Sequence, residues 1–239
     1  LAVGSPGEDS SATDTGAWPP STFLSASGAV YVFERTGTSW SQQAFVKASN
    51  ADLDHNFGHD VALSDSGTTL VVGAPRERSS SSTLDVGMAD DTAYDAGAAY
   101  VFVRGGSVWT QQAYLKASNT DANDHFGTTV ALSAHGLTLA VGPDGEDSSA
   151  LTGTQDGSDH SAADAGAVYV YRFASSWSFN GYVKATNTDA ADWFGGAIAL
   201  SADGSRLACG ASGEDSEATV IDGDQGNTGS DVGAVYIFW

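Results

Sequence analysis

Four near-copies of one segment run down this chain, and no other feature constrains its fold as much. Leu1-Ala2-Val3-Gly4 returns as Leu70-Val71-Val72-Gly73, Leu139-Ala140-Val141-Gly142 and Leu207-Ala208-Cys209-Gly210, in steps of 69, 69 and 68 residues. Gly28-Ala29-Val30-Tyr31 keeps step with Gly97-Ala98-Ala99-Tyr100, Gly166-Ala167-Val168-Tyr169 and Gly233-Ala234-Val235-Tyr236. Phe57-Gly58, Phe126-Gly127 and Phe194-Gly195 form a third series. A fixed period of this kind means one supersecondary unit stacked on copies of itself. Residues that recur in every copy are expected to be structural, so function is sought in what differs.

One copy reads as four strands. Phe126 to Ser133, Leu137 to Gly142, Gly166 to Arg172 and Trp177 to Lys184 are rich in β-branched and aromatic residues, with Gly, Ser, Asn and Asp between them. No useful stretch has helical periodicity. Roughly 60–70 residues holding four antiparallel strands match a propeller blade rather than the much shorter coil of a β-solenoid. The expected fold is all-β, with about 3.5 β-propeller blades in a single array over residues 1–239. The blades fall at 1–48 (partial), 57–116, 126–184 and 194–239 (partial). The glycines that open the third strand are expected to let backbones crowd near a central axis.

Phe-Gly, then a strand, then Val72-Gly73-Ala74-Pro75 resembles the FG-GAP repeat, the blade of integrin α-chain propellers and of many bacterial surface proteins. The longer pattern is Lys116-Ala-Ser-Asn-Thr-Asp121, Phe126-Gly127, Gly145-Glu-Asp-Ser148 and Ala165-Gly-Ala-Val-Tyr-Val170, and it is similar to the bacterial version. The resemblance spans the whole chain and implies about seven blades in a closed ring. Here the first copy lacks a first strand and the last copy lacks a fourth. The two absences do not complement each other. The expectation is a portion of a larger array, or an array completed by other chains. Uncovered strand edges invite pairing, and a head-to-tail contact that does not close builds filaments. The chain opens directly on a strand, as a mature or internal portion would.

Thirty acidic and nine basic residues give a net charge of −21. That excludes ordinary nucleic-acid binding, which needs cationic surface to replace phosphate counterions. Cations and basic proteins are the natural partners of such a surface. No run of about 20 apolar residues occurs, so no membrane-spanning helix is expected. The lone cysteine, Cys209, stands where the other copies carry Val3, Val72 and Val141, and reads as a small buried hydrophobe.

All three lysines, Lys47, Lys116 and Lys184, hold one repeat position, each followed by an Asn (Asn50, Asn119, Asn187). They read as a repeated ion-pair and hydrogen-bond clip between blades. Glu8, Glu77, Glu146 and Glu214 recur after the second strand and are the natural partners. Four equivalent copies of a carboxylate pair are not how a glycosidase site is built. No nucleophile elbow, phosphate loop or dinucleotide fingerprint is present. The chain is therefore expected not to be an enzyme, and no catalytic residue is assigned.

Two acidic loops carry closely spaced Asp and Gly: Asp156, Asp159 and Asp164 in one, Asp222, Asp224 and Asp231 in the other. Such loops can curl oxygens around calcium, the cofactor they suggest. The alternative is a solvated loop held by Asx turns. The metal loop that the resemblance implies, Asp-x-Asp-x-Asp-Gly between the first two strands, is absent, because that turn is only Ala202-Asp203-Gly204-Ser205. His55 and His59 flank Phe57-Gly58 without a counterpart in other copies, but the spacing offers no zinc set.

The first copy replaces its acidic loop with an apolar one containing Trp18, Pro19, Pro20, Phe23 and Leu24. That loop serves either as a protein contact or as a plug over its own blade. Arg76 and Arg78, in the second copy's loop, can dock on an acidic loop of another subunit. The expected function is a non-enzymatic extracellular or cell-surface module for adhesion or structure. It would act through a protein partner or self-association at unpaired blade edges, including as a filament subunit. The rival is a calcium-assisted ligand-binding propeller accessory to an enzyme domain outside this segment.

Overall fold

The computed structural model describes residues 1–13, 23–150, 152–153, 159–218, 220–221, 223, 225–226 and 228–239. Among them are fourteen strands in four antiparallel meander sheets, none closed into a barrel. The first sheet has three strands, β1 (Ala2–Ser5), β2 (Ala29–Thr36) and β3 (Ser39–Val46). The second has four: β4 (Val61–Leu63), β5 (Thr69–Ala74), β6 (Ala98–Gly105) and β7 (Val108–Leu115). The third also has four: β8 (Thr129–Leu132), β9 (Thr138–Gly142), β10 (Val168–Phe173) and β11 (Trp177–Val183). The last has three: β12 (Phe194–Leu200), β13 (Leu207–Ala211) and β14 (Ala234–Phe238). This is the expected division into about 3.5 blades of up to four antiparallel strands.

The apolar runs are continuous because the middle strands are covered on both faces. Along β6, Ala98, Tyr100 and Phe102 face the first sheet, packing with Val30, Val32, Val46 and Phe57. Ala99 and Val101 alternate to the other side and pack with Phe126, Val130, Leu139 and Tyr169. A third core joins Ala140, Val168 and Phe194 with Leu207 and Cys209. Each junction between successive sheets thus has its own core. Cys209 is buried there and its thiol is pushed up to about 12 by burial, so it is an inert filler.

The first strands β4 and β8 are shorter than the sequence suggests, because Phe-Gly is spent on the seam between sheets. Phe126 pairs with Gly97 of the preceding sheet in an isolated parallel bridge, and Phe57 and Phe194 do the same with Gly28 and Gly166. Gly97 has φ +83°, and a Cβ there would run into the backbone of Phe126. The crowding that demands glycine therefore lies at this seam, against the next sheet's phenylalanine. The phenyl ring turns back onto its own third strand, with the Phe126 centroid 5.4 Å from that of Tyr169.

Candidate functional site

The recurring charged residues form one network per sheet. Lys47, Lys116 and Lys184 are buried and donate to Glu8, Glu77 and Glu146 at 3.1, 3.0 and 2.8 Å. Each pair joins the end of a fourth strand to the loop after the second strand of the same sheet. The asparagine three residues after each lysine supplies the link to the next sheet. Asn50, Asn119 and Asn187 donate to Glu77, Glu146 and Glu214 at 3.2, 3.1 and 2.6 Å. Their carbonyls accept from Tyr100, Tyr169 and Tyr236. The clip therefore has two parts, an ion pair within a blade and an amide bridge between blades. Burial lowers the basicity of all three lysines.

The acidic loops are built from the same local devices. Asp159 accepts from Ser161, whose amide lies at 3.1 Å, from the Ser149 amide and hydroxyl, both at 3.0 Å, and from the Ser148 hydroxyl at 3.2 Å, and these bonds, Ser161 first, hold its carboxyl well below the usual range. Asp164 and Asp231 sit at positive φ just before their strands, and their amides donate to Asp147 and Asp215 at 2.8 and 2.7 Å. The sequence candidates Asp156, Asp222, Asp224 and Trp18 lie outside the described residues. Of the apolar first loop, Phe23 is 83% exposed and the Leu24 amide donates to the Asp9 carbonyl at 3.0 Å. Arg76 pairs with Asp95 at 3.2 Å and donates to the Tyr94 hydroxyl. Arg78 reaches Asp54 at 4.0 Å and lies over the Tyr94 ring. Both arginines are thus engaged inside their own region while keeping partial exposure.

Two places break the pattern. The first is the junction between the first and second sheets, where Asp52, His55 and Asp91 bring one donor atom each within 4.8 Å of one another. Asp52 and His55 lie in the β3–β4 link, and Asp91 lies in the long β5–β6 loop. This is the group among the described residues whose spacing suits a metal ion, and it includes none of Asp159, Asp164 and Asp231. Sequence reasoning missed it because Asp91 sits in a loop without a repeat equivalent. The available signal was His55, which occupies the place of Asp124 and Asp192 in the other copies.

The second break is the outer face of the last sheet. Val235 is 71% and Ile237 52% exposed, although their counterparts Val30 and Val32, and Ala99 and Val101, are buried. Trp239, Val220 and Ile221 extend this apolar surface. A Cβ on Gly233 would find its nearest neighbour at 3.4 Å, where Gly97 has the next sheet's backbone. Glu214 is 1% exposed and takes its Asn187 bond, yet no lysine reaches it among the described residues. Among those residues no helix is long and apolar enough to cross a membrane.

The family model described as FG-GAP repeat matches residues 40–102 and 109–171, more than half of the chain. Each match runs from a fourth strand through the first three strands of the following sheet, β3 to β6 and then β7 to β10. One sequence unit therefore straddles two sheets. No curated protein matches the chain.

Proposed function

Because the chain belongs to the FG-GAP repeat family, we propose that it is a non-enzymatic extracellular module for adhesion or structure. It works through protein contacts at its open sheets and serves as a subunit of a cell-surface or extracellular filament. The observation that carries this reading is the outer face of β12–β14. Exposed apolar positions on a sheet, equivalent to buried ones elsewhere in the same molecule, form a docking surface. Every other unit receives a fourth strand and a Phe-Gly segment from the unit that follows it. The last sheet has the receptor for both, in the buried Glu214 and the open space over Gly233, and a further repeat, of this chain or of another, completes it.

The occupant that fits is a further copy of that donor segment: an apolar strand, a lysine, and Phe-Gly ten residues after the lysine, the spacing of Lys47 to Phe57, Lys116 to Phe126 and Lys184 to Phe194. The exposed Phe23, with Leu24 next to it and Trp18 earlier in the same loop sequence, and Arg76 and Arg78 are further candidate contact residues. The strongly acidic composition suits a saline or cation-rich exterior. Light scattering and negative-stain microscopy of the purified chain test the reading. Self-association or filaments, suppressed by a peptide of residues 108–128 added in trans, are expected. A compact monomer at all concentrations that also ignores the peptide would sink it.

A further inference from the structure

The junction between the first two sheets differs from its two counterparts in a way that points to a ligand. Asp124 and Asp192 close their own turns, accepting the amides of Asp121 and Asp189 at 2.8 and 2.7 Å. His55 stands in their place and makes no such bond. It is 2% exposed, and neither ring nitrogen has a hydrogen-bond partner. The other described histidines differ: His59 and His125 bond to Thr128 and Asp144, while His135 and His160 are exposed. A buried polar group left unpaired costs on the order of 1–3 kcal/mol and asks for a reason.

Asp52 and Asp91 supply that reason, because their carboxylates converge on the imidazole with all three donor atoms within 4.8 Å. Tetrahedral coordination at about 2.0–2.1 Å sets ligand atoms about 3.4 Å apart. Small side-chain rotations close the difference. We infer that Asp52, His55 and Asp91 form a divalent metal site of the zinc class, found among the described residues at this junction alone. One imidazole and two carboxylates are a borderline donor set, whereas calcium takes six to eight oxygens. Arg78 lies near this region, held by Asp54 and Tyr94, and its charge is outnumbered by the carboxylates of Asp52 and Asp91, the nearby Glu77 being paired with Lys116. Asp91 is exposed, so an ion enters from solvent. Once bound, it ties the link before the second sheet to that sheet's own long loop.

Titration calorimetry of the tag-free chain with zinc chloride tests the site, with cobalt(II) absorption reporting a nitrogen ligand. One equivalent of zinc is expected, with a rise in thermal midpoint. Asp91→Asn, at an exposed position, and His55→Asp, which installs the residue of the other junctions, are each expected to weaken binding at least tenfold. Circular dichroism checks that both variants stay folded. Absence of zinc heat in the unaltered chain, affinity unchanged by both substitutions, or calcium binding as tightly as zinc would each overturn the assignment.

Discussion

Lys184 Nζ stands 2.8 Å from Glu146 Oε2, with side-chain exposures of 0% and 2%, and it also donates to the Gly166 carbonyl at 2.6 Å. Glu146 takes the Asn119 amide and the Tyr182 hydroxyl on its other oxygen. One carboxylate therefore gathers three donors, two from the end of β11 and one from the β7–β8 link, and joins two sheets. Removing the ammonium leaves a buried charge uncompensated, so Lys184→Met is expected to cost about 3–5 kcal/mol in urea denaturation. Adding Glu146→Gln should recover part of that loss. A single-variant loss below about 1 kcal/mol would show the pair to be dispensable.

Asp124 gives the chain a pH dependence of definite sign. Its pKa is pushed up to about 8, first by burial and further by Asp121, Glu146 and Asp147. A folded-state pKa above the unfolded value means the folded form binds the proton more tightly. The resulting stability is full below about pH 4 and is lost as pH rises through 8. Asp124→Asn keeps an acceptor for the Asp121 amide without the charge. It should match the parent below pH 4 and exceed it at pH 8 by a few kcal/mol at most, on the order the linkage relation allows. Thermal melts across that range check it, and a constant difference between the two proteins would refute the assignment.

Gly97 and Gly233 separate two reasons for needing glycine. Both have positive φ, +83° and +79°, but only Gly97 has the next sheet's backbone against it. Gly233→Ala should cost about 1 kcal/mol, the strain alone. Gly97→Ala should cost several kcal/mol more, since a phenylalanine backbone has to move. Equal losses in denaturation would remove the contact argument.

On the open face, Ile237→Lys should leave the stability of the isolated chain within about 1 kcal/mol, because the side chain is already half exposed. Self-association should weaken at least tenfold, read by light scattering. The paired change Trp18→Ala and Phe23→Ala probes the other candidate contact. Unchanged association there assigns the loop to its own blade.

The strands and their division among four sheets were legible because copies at a fixed period check one another, and an apolar run covered on both faces looks the same in each. The lysine–glutamate partnership was legible for the same reason. Its direction was not. Only the fold places Lys184 in the same sheet as Glu146 while Asn119 reaches Glu146 from the sheet before. The metal group was half visible: His55 departs from the repeat, but Asp91 comes from a loop whose length and conformation no periodicity encodes. The exposure of Val235 and Ile237 depends on what stands opposite them, and a strand pattern carries no information about its neighbour.

The offset between sequence unit and sheet bears on how such an array can change length. The boundary of a unit falls in the tight Gly106-Ser107 turn between β6 and β7. No linker marks it. A recombination event there hands the fourth strand of one sheet to a different successor, and the hairpin tolerates this because every successor brings the same lysine, asparagine and Phe-Gly. A unit gained or lost at that turn thus leaves the ten-residue spacing from lysine to Phe-Gly intact, and the new junction closes with the same clasp as the old.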